Sequence, residues 1–163
     1  MPVPPGKSGC PINLTVELLG DRWSLIILRD CMFGGHRRTF RSLLTGSIEG
    51  IASNILTDRL KRLTANGLLT RCGDPGHKQR VLYSLTEKAI ELVPLMAVMG
   101  SWGLRHTLPA TDLATGAQVL EDGGPQLWSE FMDELRHIHL GAPQPKVSAL
   151  AKMEAAYEAT MAG

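Results

Sequence analysis

At Asn66-Gly67 the spacing of apolar residues changes period, and that change narrows the folds open to the chain more than any other feature. Upstream, Ala52, Leu56, Leu60 and Leu63 recur so that, at about 100° per residue, they share one narrow stripe of a helix. Ser53 lies near the start of that helix, after Gly50, and Asn66-Gly67 supplies a left-handed stop. Downstream, "LLTRC" and "RVLYSLT" alternate and carry Val, Tyr and Thr, as strands do, on either side of the turn "GDPGHKQ". Residues 68–86 are therefore predicted to form a β-hairpin.

Three helices are predicted before this unit. One starts after Cys10, because Pro11 suits a first helical position. A second covers "RWSLIILRDCM", with Trp23, Ile26, Ile27 and Cys31 on its apolar side, and "FGGHRR" breaks it. "TFRSLLTG" reads as a short third helix. After the hairpin, Thr86 caps a long helix to His106, with Pro94 expected as a kink. Helix, helix, short helix, amphipathic helix and hairpin, in that order, make a winged helix-turn-helix. The fold class is mostly α with a small β-hairpin wing, plus extra C-terminal helices. "PQLWSEFMDELRHIHL" is one of these, and "SALAKMEAAYEATM" is the last, capped by Ser148 with Leu150, Met153, Tyr157 and Met161 on one side. "TDLATGAQVLEDGG" is ambiguous. The predicted division is a flexible segment over 1–9, a DNA-binding and dimerisation domain over 10–106, and a helical extension over 107–163.

The chain has 163 residues, enough for a proper core, and a net charge of only +1. The charges are unevenly placed. Residues 1–108 hold 14 Lys and Arg against 8 Asp and Glu, and residues 109–163 hold 3 against 8. A basic front suits an anionic partner. No apolar run is long enough to span a membrane, and no export signal is evident, so a cytoplasmic location is expected. The three cysteines form no C-x-x-C pair or zinc spacing. His137 and His139, two apart on a helix, make a poor metal pair. No nucleophile–base set, phosphate loop or H-E-x-x-H occurs, so neither an enzyme nor a cofactor or metal site is expected.

The chain resembles the HxlR-type winged-helix transcriptional regulators. The resemblance rests on "GCPINLTVELLGDRWSLIILRD", "RRTFRSLLTGSIEGIASNILTDRLKRLTANGLL", "RVLYSLTEKAIELVPLM" and "SWG", which fall in sequence over residues 9–103. One departure is "LTEKA", where the family has Leu-Thr-x-x-Gly. Residues 104–163 have no counterpart in short members. The resemblance implies a small bacterial homodimer that binds palindromic operators in double-stranded DNA. The alternative is a winged-helix module for protein–protein contact without specific DNA binding.

Expected site residues follow. Ser53, Asn54 and Thr57, in the first half of the recognition helix, are candidates for reading bases, since Asn pairs with adenine and Thr touches the thymine methyl. Phosphate contacts are expected from Arg37, Arg38 and Arg41, from Arg59, Lys61 and Arg62, and from His77, Lys78 and Arg80 at the wing. Asp58 would face DNA, where it could accept from a cytosine amino group; pairing with Arg62 at i+4 is the preferred reading. Cys10, at a helix N-terminus, is a candidate redox sensor, with a buried apolar role at the dimer interface as the alternative. Leu92, Leu95, Met96, Met99, Trp102, Trp128 and Phe131 are the expected dimer interface. The tryptophans equally suit a pocket for a small-molecule effector.

Overall fold

The computed structural model describes residues 8–35 and 38–163. The helices α1 (Pro11–Leu19), α2 (Arg22–Phe33), α3 (Phe40–Thr45) and α4 (Ser53–Ala65) precede strands β1 (Leu69–Asp74) and β2 (His77–Leu85). After the hairpin come α5 (Glu87–Ile90), α6 (Val93–His106), α7 (Thr111–Leu140) and α8 (Ala149–Ala162). The hairpin is antiparallel, with Leu69 opposite Leu85 and Arg71 opposite Tyr83.

Local chemistry sets most boundaries. Asp21 caps α2 by accepting from the Ser24 amide at 2.9 Å. Thr39 and Ser42 form a reciprocal capping box at the start of α3. Gly67, at φ +72°, provides the left-handed turn that ends α4 and launches β1. Thr86 caps α5 as expected, accepting from the Ala89 amide, and "LTEKA" supports this start without the glycine.

The core is continuous. α4 contributes Leu56, Leu60 and Leu63; α2 contributes Ile27, Leu28, Cys31 and Met32; the hairpin base adds Leu68, Leu69 and Leu85. Ala52 does not join the α4 stripe: it is the exposed capping residue. Trp23 and Ile26 are only partly buried, because Leu28 and Met32 occupy the inward side of α2.

The helix expected from Thr86 to His106 is two helices. Pro94 has no amide hydrogen and its ring crowds the preceding turn, so the chain breaks at Glu91-Leu92 and α6 restarts with Pro94 in its first turn. The ambiguous segment after it is helical and runs into α7, which bends at Gly124 (φ +61°, ψ −161°) just before Pro125. The Trp128 indole donates to the Leu120 carbonyl at 2.8 Å across this bend. α8 is fastened by the buried Glu134 of α7, which accepts from Ser148 Oγ at 2.5 Å and the Leu150 amide at 3.1 Å. On α8, Met153 is buried, whereas Tyr157 and Met161 stay exposed.

Phe131 corrects the expected interface. It is wholly buried within the protomer, its ring centroid 5.4 Å from that of Phe33 on α2, so it has no surface to offer a second chain. The C-terminal extension folds back onto its own winged helix.

Candidate nucleic-acid interface

The α4 helix is held by its apolar stripe on one side and by a charge clasp at its flank. Arg59 Nε donates to Asp21 Oδ1 at 2.8 Å. Arg62 Nη1 lies 3.5 Å from Asp21 Oδ2, and its Nη2 donates to the Glu17 carbonyl at 2.8 Å. Burial pushes the Asp21 carboxyl up, but hydrogen bonds from Ser24 and Arg59 outweigh it and hold the group down at about 2. Asp58 pairs with its neighbour Arg59 and not with Arg62, because Arg62 is turned toward Asp21 and Glu17.

A bidentate pair sets the turn before α4. Arg29 Nη1 and Nη2 donate to Glu49 at 2.6 and 2.8 Å, and these hydrogen bonds to the Glu49 carboxylate raise the pKa of the guanidinium. The turn between α3 and α4 is thus fixed to α2.

The opposite side of α4 is open. Ser53, Asn54, Thr57 and Lys61 are exposed, and among the described residues no hydrogen bond or ion pair engages the side chains of Ser53, Asn54 or Lys61. Thr57 Oγ1 donates to the Ser53 carbonyl at 2.8 Å, and the residue is exposed. Arg41, on α3, is exposed. His77 and Lys78 are exposed at the hairpin tip, where Asp74 accepts from the Gly76 amide at 2.9 Å; Arg80 lies 3.6 Å from Asp74. Arg71 adds an exposed cation on β1 that the sequence reading passed over. A single basic residue in a strand carries no spacing signal, so only the hairpin geometry brings it out.

Three of the residues expected to meet phosphate are already engaged. Arg38 donates to the Tyr83 carbonyl at 3.3 Å, to Ser84 Oγ and to the Ile138 carbonyl at 3.1 Å, so its guanidinium faces inward and not toward a phosphate. Arg59 and Arg62 belong to the Asp21 clasp. Arg37 lies outside the described residues.

Cys10 is the exposed capping residue of α1. The amides of Asn13 and then Ile12 lower its thiol pKa. Burial instead pushes the Cys31 thiol up to about 12. Of the expected interface residues, Leu95, Met99 and Trp102 are exposed on α6, Leu92 and Met96 are half-buried against the core, and Trp128 is half-buried at the α7 bend. Ile12 and Val16 of α1 share the apolar groove with Leu95 and Met99.

A short helix, a turn and an amphipathic helix with an open polar face, followed by a hairpin with a cationic tip, define a winged helix-turn-helix protein. The profile of the HxlR-like helix-turn-helix proteins matches residues 18–110, more than half of the chain, and the protein belongs to that family of transcriptional regulators. It is 37% identical over 94 residues, 58% of this chain and 67% of the other, to the uncharacterized HTH-type transcriptional regulator sll1512 of Synechocystis sp.. With the HTH-type regulator YybR of Bacillus subtilis it shares 32% identity over 100 residues, 61% of this chain and 77% of that one. Among solved structures it is similar to the reduced form of the regulator YodB from B. subtilis (TM-score 0.51, 31% identity, 63% and 99% of the two chains). It is also similar to the reduced form of the redox regulator HypR (TM-score 0.51, 30% identity, 59% and 92%). No helix among the described residues is long and apolar enough to cross a membrane.

Proposed function

We propose that this regulator binds an inverted-repeat operator in double-stranded DNA as a cytoplasmic homodimer. The observation that carries the reading is the division of α4. Its leucines are buried, while Ser53, Asn54 and Lys61 stand exposed with unengaged side chains among the described residues. Such a helix enters the major groove with its first half against the base edges. Asn54 then reads adenine, the Thr57 methyl meets thymine, and Lys61 and Arg41 take phosphates. The hairpin carries His77, Lys78 and Arg80 over the adjacent minor groove. Residues 10–106 supply DNA binding and dimerisation, and 107–163 the extension.

The second copy is read from the face shared by α1 and α6. Ile12 is 76% exposed, Val16 55% and Trp102 59%, an apolar surface larger than scattered single residues make. Two winged helices related by a two-fold axis read half-sites about 34–36 Å apart. The test is selection of duplexes from a random pool, followed by affinity measurement across salt. A selected inverted repeat whose log affinity falls linearly with log salt supports the reading. Binding to no duplex, with a protein partner captured whose affinity ignores salt, overturns it in favour of a protein-contact module.

A response to oxidants or electrophiles through Cys10 is supported by its exposure, by the amides that lower its thiol pKa, and by the similarity to YodB and HypR. The groove beside it, about 450 Å³ between α1 and α6, suits a small apolar effector at the subunit boundary. Alkylation by iodoacetamide at neutral pH should reach Cys10 before Cys72, which is also exposed. Equal rates would remove Cys10 as a sensor.

A further inference from the structure

The family match ends at residue 110, yet the second half of α7 is joined to the winged helix by directed polar contacts. The Leu85 amide donates to His139 Nδ1 at 3.1 Å. Because Nδ1 accepts, the ring proton sits on Nε2, which donates to the Cys31 carbonyl at 3.2 Å. The Ile138 carbonyl accepts from Arg38, whose guanidinium also reaches the Tyr83 carbonyl and Ser84 Oγ, and whose own carbonyl accepts from the Tyr83 amide at 2.7 Å. Arg136 Nε and Nη2 donate to Glu87 at 3.0 and 2.6 Å, two residues past the hairpin.

These contacts share a location. In a two-stranded ribbon each strand has one edge of unpaired amides and carbonyls. On β2 the outward groups near the base belong to Tyr83 and Leu85; Arg38 engages the Tyr83 amide and carbonyl, and His139 the Leu85 amide. The grip stops there. Residues 77–80, with the cationic tip, extend past it as a ribbon that is marginal alone.

We propose that the C-terminal extension is a brace for the wing. Through His139, and through Ile138 acting on Arg38, α7 fixes the base of β2 and so the angle at which Lys78 and Arg80 stand relative to α4. Arg136 holds Glu87, two residues beyond the end of β2. Phe131 and Leu135 supply the packing of α7; the hydrogen bonds supply its direction. His139 and Arg136 are positioning residues that touch no DNA, and the proposal rests on the DNA-binding reading above.

The test uses the full-length protein and two readouts. The first is amide exchange at Cys72 and Leu82, which pair with each other in the ladder and touch none of the substituted groups. His139→Phe keeps a ring but removes both hydrogen bonds, and it should speed exchange at these two sites about tenfold while α4 is unchanged. His139→Asn restores an acceptor for the Leu85 amide and should recover most of the protection. The second readout is a hydroxyl-radical footprint on the selected duplex, with its salt slope. His139→Phe should lose the flanking minor-groove protection, keep the major-groove protection, and lower the slope by about 2 per protomer. If His139→Phe fails to fold, Arg136→Gln, which breaks the surface ion pairs with Glu87 and Asp133, should shift both readouts in the same direction. Wild-type exchange at Cys72 and Leu82 in a folded His139→Phe or in Arg136→Gln overturns the brace, whatever the DNA result. Failure of the wild-type protein to bind any duplex overturns the DNA reading alone.

Discussion

Replacing Phe131 with alanine separates a protomer core from a subunit interface. The ring is fully buried, lies against Phe33 at 5.4 Å between centroids, and sits one turn from the equally buried Leu127 and Leu135. Truncating a buried Phe costs about 3–5 kcal/mol, and loss of the ring pair places this site toward the upper end. For a chain of 163 residues each kcal/mol lowers Tm by about 2–4 °C, so Phe131→Ala should melt roughly 6–20 °C below wild type. Thermal melts followed by circular dichroism at low and at high micromolar concentration make the distinction. A residue inside one protomer gives the same decrement at both concentrations. No decrement, or one that grows on dilution, would refute the placement of α7 against its own α2.

The other predictions concern the interface. Asn54→Ala should relax base preference at one position per half-site by ~1–3 kcal/mol, whereas Lys78→Ala should lower affinity for all duplexes and reduce the salt slope by about 0.9. Asp21→Asn keeps a good helix cap but removes the charge facing Arg59 and Arg62; non-specific duplex affinity at low salt should rise, and an unchanged slope in a folded variant would show that the two arginines stay put. The Asp21 carboxyl is held at about 2, below its ordinary value of ~3.9, so its contribution to stability is present above that ordinary value and is lost as pH falls through about 2. Acid titration should show this step in wild type and not in Asp21→Asn. Trp102→Glu places a charge on the exposed apolar face of α6 and should yield a species near 17.7 kDa in sedimentation at micromolar concentration, while a dimer unaffected by it would move the interface elsewhere.

What the sequence made legible follows from period and punctuation. Leu56, Leu60 and Leu63 are buried because a helix of that spacing has one side to hide, and Asn66-Gly67 ends it because the next residue needs positive φ. The hairpin followed from alternation. What stayed hidden depends on partners far along the chain. Asp21 reads as a helix cap, and nothing in the sequence shows that Arg59, 38 residues later, returns to it. Arg38 reads as one of a basic pair; its acceptors lie 45, 46 and 100 residues away. An amphipathic stripe such as that of Phe131 says that a face is covered, but not by which chain.

The same sorting bounds how strongly salt can act on this protein. The basic front divides into cations that the fold engages and cations that it leaves out. Arg29, Arg38, Arg59 and Arg62 are bound internally. On α3, α4 and the hairpin, Arg41, Lys61, Arg71 and Lys78 remain unengaged among the described residues, and Arg80 has only a distant partner in Asp74. Five such cations per protomer give ten in the proposed dimer, and at about 0.9 released counterions each the log–log salt slope for operator binding has a ceiling near 9 in magnitude, or about 11 if Arg37 also reaches a phosphate. Opening the Asp21 clasp would add Arg59 and Arg62 from each protomer and lift the ceiling to about 13, or about 14 with Arg37. The slope, measured by titrating the selected duplex between low and moderate salt, therefore reads the state of the clasp in the complex. A value at or below about 11 fits a recognition helix that stays docked on Asp21, with its arginines orienting α4 and not gripping the backbone. A steeper value would mean that binding pulls both arginines off the carboxylate; Asp21→Asn should then leave operator affinity higher than wild type without making the slope any steeper.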